Sequence, residues 1–233
     1  HQAQAGETKK EIQLSEEQNK AYQTLSGLLQ QKEPACALLF GVTGSGKTSV
    51  YLKLIDQALA TQPNKGVIVM VPEIALTPAA VAIFKGRYGS RVAVFHSRLS
   101  MGERLDEFKR VKKGLANIVV GTRSAVFAPL ETISLIVMDE EQEHTYKSES
   151  SPRFHARDVA RFRAAHHNAL LLLASATPSV ESYAKARAGI YTLCPLTSRF
   201  GEAVLPQVLL VDMKDQLNAG NATAFSTPLI HML

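Results

Sequence analysis

Ala37-Leu-Leu-Phe-Gly-Val-Thr-Gly-Ser-Gly-Lys-Thr48 begins as an apolar run, then turns glycine-rich and ends on a lysine and a threonine. Its last part has the Gly-x-x-x-x-Gly-Lys-Thr spacing of a phosphate loop. The residue types follow from the task. Gly41, Gly44 and Gly46, with Thr43 and Ser45 among them, let the backbone wrap a polyphosphate and turn its N–H groups inward. A helix starting there adds the positive end of its dipole. Lys47 supplies a mobile charge for the outer phosphates, and Thr48 offers a hydroxyl to Mg²⁺, so ATP with Mg²⁺ is the expected ligand. Context agrees, because Ala37 to Phe40 reads as a strand and Ser49 to Ala60 as a helix.

Beyond this loop, Val-, Ile- and Leu-rich runs recur at residues 66–71, 91–95, 117–120, 133–138 and 169–173. Near-continuous apolar runs of this length predict strands buried on both faces, as in a parallel sheet. Helical stretches lie between them. In the clearest, Met101, Leu105, Phe108 and Val111 share one face, Ser100 and Glu103 form a capping box, and Gly114 stands at the stop. The alternation predicts an α/β fold with a mostly parallel sheet and helices on both faces, which together with the phosphate loop resembles the RecA-like phosphate-loop NTPases. Ligands belong at the carboxyl ends of such strands.

Bulk properties narrow the class. In 233 residues, 45% are hydrophobic and 20% charged, as in soluble folded chains. No apolar run approaches the ~18 residues of a membrane span. Residues 1–10 are polar, which leaves secretion unsupported. Two distant cysteines, Cys36 and Cys194, suit a reducing compartment, so a cytoplasmic setting with no membrane partner is expected. The net charge of +5 is compatible with phosphate binding but decides little. The chain lacks an initiator Met and stops in an apolar run at Leu233, which suggests a piece of something larger.

The run 133–138 leads straight into Asp139-Glu-Glu-Gln142. With a phosphate loop upstream, Asp139 is the expected magnesium ligand, and Glu140 is placed to orient and deprotonate the attacking water. Ser175-Ala-Thr177, after the last apolar run, resembles the third motif of superfamily-two helicases, which implies that Ser175 and Thr177 couple nucleotide state to nucleic-acid grip. The same residues suit an N-cap for a helix starting near Pro178.

Several stretches narrow the resemblance: Val71-Pro-Glu-Ile-Ala-Leu-Thr-Pro78, His96-Ser97 with Glu103-Arg104, Gly121-Thr-Arg-Ser-Ala-Val-Phe-Ala-Pro129, and Tyr146-Lys147. Over residues 14 to 212 the chain is similar to the primosomal replication-restart helicases of bacteria. That resemblance implies 3′–5′ unwinding of forked or single-stranded DNA, with Thr122, Arg123 and Ser124 on the DNA backbone. A strand-end turn with a solvated arginine would look the same. It implies adenine recognition by Gln18, although Ser15 to Gln18 is equally a capping box. The segment 143–155 matches an aromatic-rich loop in which Tyr146 and Lys147 would meet DNA, or which is simply solvated. Arg157 and Arg161 extend a basic face nearby. Gln142 stands where the family more often has His, and either side chain can hydrogen-bond toward Ser175-Ala-Thr177.

The resemblance further implies a second helicase lobe beyond a linker at 213–233, a linker or remnant at 1–13, and partners among primosome proteins and single-stranded-DNA-binding protein. Zinc belongs to the full-length family, but its cysteine ligands are absent from these residues. Without a second lobe to supply arginines, worth about 10³–10⁵ in rate, the chain is expected to turn ATP over hardly at all. A duplex-DNA translocase lobe and a nucleotide- or DNA-binding scaffold share these motifs.

Overall fold

Alternate side chains along each apolar run point to opposite faces of one sheet, so both faces must be covered. A computed structural model describes residues 11–31, 33–149, 151–199 and 208–232; within the 1–13 segment the first ten residues, and at the far end Leu233, lie outside the described residues. The chain divides into two compact units, His1–Phe200 and Gly201–Leu233.

In the first unit seven parallel strands form a sheet in the order β3-β4-β2-β5-β6-β1-β7. They are β1 (Ala35–Gly41), β2 (Gly66–Met70), β3 (Val92–Phe95), β4 (Ile118–Gly121), β5 (Ile133–Asp139), β6 (Leu170–Ser175) and β7 (Thr192–Leu196). Helices α1 (Glu16–Gln30), α2 (Lys47–Thr61) and α3 (Pro78–Tyr88) supply the apolar cover of one face. On the other lie α4 (Met101–Lys112), α5 (Ala156–His167) and α6 (Val180–Arg187). Leu39 and Val69 serve the first core, while their neighbours Leu38 and Ile68 serve the second.

Local chemistry sets the helix ends. Ser15 and Ser100 make reciprocal capping boxes with Gln18 and Glu103, and Thr77 caps α3 ahead of Pro78. Two sequence expectations are corrected, and one strand was not anticipated. Strand β7 gave no apolar run to read, because Pro195 interrupts it; proline is tolerated there since β7 is an edge. The cap of α6 is Ser179, not the Ser-Ala-Thr run, which leaves Ser175 and Thr177 for other contacts. In α4 only Val111 is buried, while Met101 is 86% and Leu105 50% exposed. Helix α4 lies along edge strand β3 and meets it with polar side chains: Glu107 accepts from Val94 N at 3.1 Å, and Arg110 donates to Ser90 O at 2.5 Å. Those charges cover the open edge, as edges require.

The second unit contains α7 (Met213–Asn218), capped by Asp212, and α8 (Thr227–Met232). Around its turn, Asn221 Nδ2 donates to Phe225 O at 2.9 Å.

Gly121 ends β4 where backbone approaches backbone: a Cβ there would lie 2.1 Å from Phe95 O, which accepts from Thr122 N at 3.0 Å. Gly121→Ala should therefore destabilise the unit by about 2–3 kcal/mol, the cost of overpacking a rigid site, read as a lower urea midpoint at unchanged slope.

Candidate nucleotide site and adjoining groove

Parallel register brings three carboxyl ends together. Asp139 on β5 lies opposite Ala174 on β6, and Ala174 lies opposite Leu39 on β1. The phosphate loop, the acidic pair and Ser175 thus share one end of the sheet, as ligand sites in parallel sheets do.

The loop itself is built as the sequence requires. Gly44 and Gly46 both take φ of +79°, a left-handed conformation that favours glycine, and Gly46 leads into α2. Lys47 is buried, and its Nζ donates to Gly41 O at 2.7 Å, so the ammonium is folded over the loop. Gln18, 2% exposed, spends its amide twice: Oε1 accepts from Ser15 N at 3.0 Å, and Nε2 donates to Ser45 O at 2.8 Å. The capping box of α1 is therefore also a brace for the loop. Ser45 Oγ is buried without a protein partner, and Gly41, Thr43 and Thr48 complete the cradle.

Asp139 sits between two buried tyrosines that sequence reading did not place there. Tyr51 donates to its Oδ2 at 3.2 Å and also interacts with the Thr48 hydroxyl, and Tyr146 donates to its main-chain oxygen at 2.6 Å. Tyr51 lies one turn beyond Lys47 on α2, where an apolar residue would read the same. Burial pushes the Asp139 carboxyl above its ordinary value and the neighbouring Glu140 adds to this, against the Glu140 N–H, Tyr51 and Lys47. Burial likewise raises both tyrosines, so they donate at neutral pH. Thr48 and Asp139 are the side chains that would hold Mg²⁺. Among the described residues there is no group of three or more His, Cys, Asp or Glu that could hold a metal ion.

A polar relay runs from the acid pair to the next strand. Gln142 Nε2 donates to Glu140 Oε2 at 2.8 Å, Ser175 Oγ donates to Gln142 Oε1 at 2.6 Å, and Thr177 N donates to Ser175 Oγ at 2.9 Å. Gln142 makes the contact expected of it.

The other half of the carboxyl edge, at β2, β3 and β4, opens into a groove of about 760 Å³. Thr122, Arg123 and Ser124 line it with His96, Arg104 and Lys147. Phe108, read from the sequence as part of a helix's apolar face, and Phe127, given no role there, add exposed rings; Phe127 is held edge-on by Phe154 at 4.9 Å. Two expectations need correction here. Tyr146 is 1% exposed and engaged with Asp139, so its ring is not presented for stacking. Arg157 does not extend a basic surface: it is buried in an ion pair with Glu141 at 3.1 Å and pairs with Glu181 as well. Arg123 donates to Lys147 O at 2.8 Å and so ties the segment after β5 to the groove floor.

Residues 15–186 match the family model described as DEAD/DEAH box helicase. The chain belongs to that helicase family. Among curated proteins, this helicase chain is 48% identical over 222 residues to the replication restart protein PriA of Bacillus subtilis, covering 95% of the chain and 27% of that protein. The PriA of Haemophilus influenzae is 41% identical over 196 residues, covering 84% and 26%. The chain thus spans about a quarter of the length of these relatives. Among solved structures, RecG bound to a three-way DNA junction superposes with a TM-score of 0.60 at 20% identity, over 83% of this chain and 25% of that one. The Pyrococcus furiosus Hef helicase domain gives 0.53 at 18%, over 76% and 37%. Both likenesses are of fold. Among the described residues no helix is long and apolar enough to cross a membrane.

Because folded Asp139 holds its proton more tightly than the unfolded chain does, its contribution to stability is lost as pH rises from the ordinary value of 3.8 through the raised one. At pH 7 and without nucleotide, Asp139→Asn should raise Tm by about 2–4 °C while abolishing magnesium-dependent nucleotide binding. Differential scanning calorimetry of both proteins checks the sign; an equal or lower Tm contradicts it.

Proposed function

We propose that this chain is the ATP-binding lobe of a 3′–5′ DNA helicase that acts in replication restart and primosome assembly at stalled forks. One observation carries the reading: the loop bearing Lys47 and Thr48 follows β1 and Asp139 ends β5, both at the same sheet end with β6 between them, and Tyr51 links Asp139 to Thr48. The family membership and the relatives named as replication restart proteins support the substrate class.

In this reading residues 14–212 form the lobe and 213–233 lead toward a second one, which supplies arginines to the outer phosphate. The glycine loop and the start of α2 bind ATP through backbone N–H groups, with Lys47 unfolding from Gly41 O to meet phosphate oxygen. Magnesium, when bound, neutralises phosphate charge. Glu140 orients the attacking water and takes its proton, and Gln142, Ser175 and Thr177 carry the site's state toward the groove. Gln18 contributes to adenine recognition from its place beside the loop. In the groove Thr122, Arg123 and Ser124 hold DNA phosphates, with Lys147 beside them. Primosome proteins and single-stranded-DNA-binding protein are the expected partners, in a bacterial cytoplasm.

Fluorescent ATP should bind this chain in the presence of Mg²⁺, and Lys47→Ala should weaken binding by about 10- to 100-fold, the worth of a charge-assisted contact. Equal affinity of the two proteins sinks the reading. Forked DNA should bind with a salt dependence whose slope falls by about 1 in Arg123→Ala, at similar cost for every sequence tested. The chain alone should hydrolyse ATP hardly at all; vigorous DNA-stimulated turnover would contradict the need for a second lobe.

A further inference from the structure

Glu141 follows the water-activating carboxylate and has no part in the chemistry above, yet it is 1% exposed. Its side chain is saturated with donors. Oε1 accepts from Ser179 N at 2.7 Å, and Oε2 accepts from Arg157 at 3.1 Å, Ser182 Oγ at 3.0 Å and Ser179 Oγ at 3.2 Å. Arg157 also donates to Ser179 Oγ at 2.8 Å and Ser182 Oγ at 3.2 Å, and pairs with the Glu181 carboxylate. This cluster ties the tip of β5 to the first turns of α5 and α6. A charge so deeply buried is tolerated only when paired and fully hydrogen-bonded.

What the cluster holds lies one residue back. Glu140 takes a φ of +46°, in the left-handed region that a residue with a Cβ avoids. The other positive-φ residue that is not glycine, among the described residues, is Asn168, which closes α5 and is of a type that tolerates this shape. Glu140 has no such excuse, and strained backbone at a site persists only where its surroundings over-determine it. On its amino side Tyr146 holds Asp139 O at 2.6 Å, and Asp139 Oδ1 accepts from Glu140 N at 3.1 Å. On its carboxyl side Glu141 N donates to Ala174 O at 3.1 Å, and the side-chain cluster pins the rest.

We propose that Arg157 is a positioning residue for the reaction: through Glu141 it holds Glu140 in its left-handed conformation and so presents the water-activating carboxylate beside Asp139 and Gln142. This rests on the nucleotide-lobe reading above. An arginine suits the role because its planar fork reaches Glu141 and Glu181 together, which a lysine ammonium cannot do.

The test uses the full-length protein that carries this lobe. Arg157→Met alone would leave Glu141 buried and unpaired and so endanger folding, whereas the double variant Glu141→Leu/Arg157→Met removes both charges. The double variant should keep a Tm within about 4 °C of wild type. It should bind fluorescent ATP with Mg²⁺ at nearly unchanged affinity, yet lose about 10- to 100-fold in kcat, the scale of a misplaced catalytic group. Arg157→Lys should show an intermediate loss in kcat at unchanged KM. A double variant that folds and hydrolyses ATP at the wild-type kcat overturns the proposal; if it does not fold, wild-type kcat in Arg157→Lys overturns it. Lys47→Ala and Glu140→Gln serve as controls. If neither lowers kcat, the nucleotide-lobe reading itself fails and this inference falls with it; if both do while the clamp variants do not, only the clamp is wrong.

Discussion

Parallel pairing of β5, β6 and β1 in a single register places the end of each strand beside the next, so groups far apart in the chain meet within hydrogen-bond reach. Asp139 and the phosphate loop are separated by ninety-odd residues of chain, yet Tyr51 spans them with one hydrogen bond. A one-residue slip of β5 would turn Asp139 to the opposite face and dissolve the site, because side chains in a strand alternate with a period of two.

The carboxyl edge of the sheet is shared between two tasks. Strands β1, β5 and β6 end at the phosphate loop and acid pair, while β2, β3 and β4 end at a groove lined by Arg123, Arg104 and Phe127. The segment following β5 belongs to both: Tyr146 is buried against Asp139, and the next residue, Lys147, is exposed at the groove. Two adjacent side chains therefore stand one in each site, with Arg123 holding the backbone that flanks them through Thr145 O and Lys147 O. Any shift of this segment is felt on both sides.

The site is also costly in stability. A buried carboxylate, a left-handed glutamate and a folded-back lysine are each poorer choices for the nucleotide-free fold than an amide, a glycine or an apolar side chain. Their cost is offset by the two apolar cores, while the Glu141–Arg157 cluster places its own charges where hydrogen bonds satisfy them.

Much of this was legible in the residues alone. Glycine spacing and the lysine-threonine ending define the phosphate loop because few side chains permit that backbone, and unbroken apolar runs declare a doubly covered sheet because nothing else buries them. Gln142 facing Ser175 was implied by the family resemblance, since glutamine can hydrogen-bond there as the more usual histidine does. Other features were not readable, since they depend on which surfaces meet. Tyr146 and Arg157 have the composition of a DNA-facing loop, but the fold turns both inward, where a hydroxyl and a guanidinium satisfy Asp139 and Glu141. Likewise the apolar stripe of α4 reads as a core face, but an edge strand needs polar cover more than it needs more carbon. Sequence determined where a loop able to wrap phosphate would form and which strands are buried, through local backbone freedom and apolar periodicity. Only the tertiary structure decided which charged and aromatic side chains face water, because that depends on the partners that packing puts beside them.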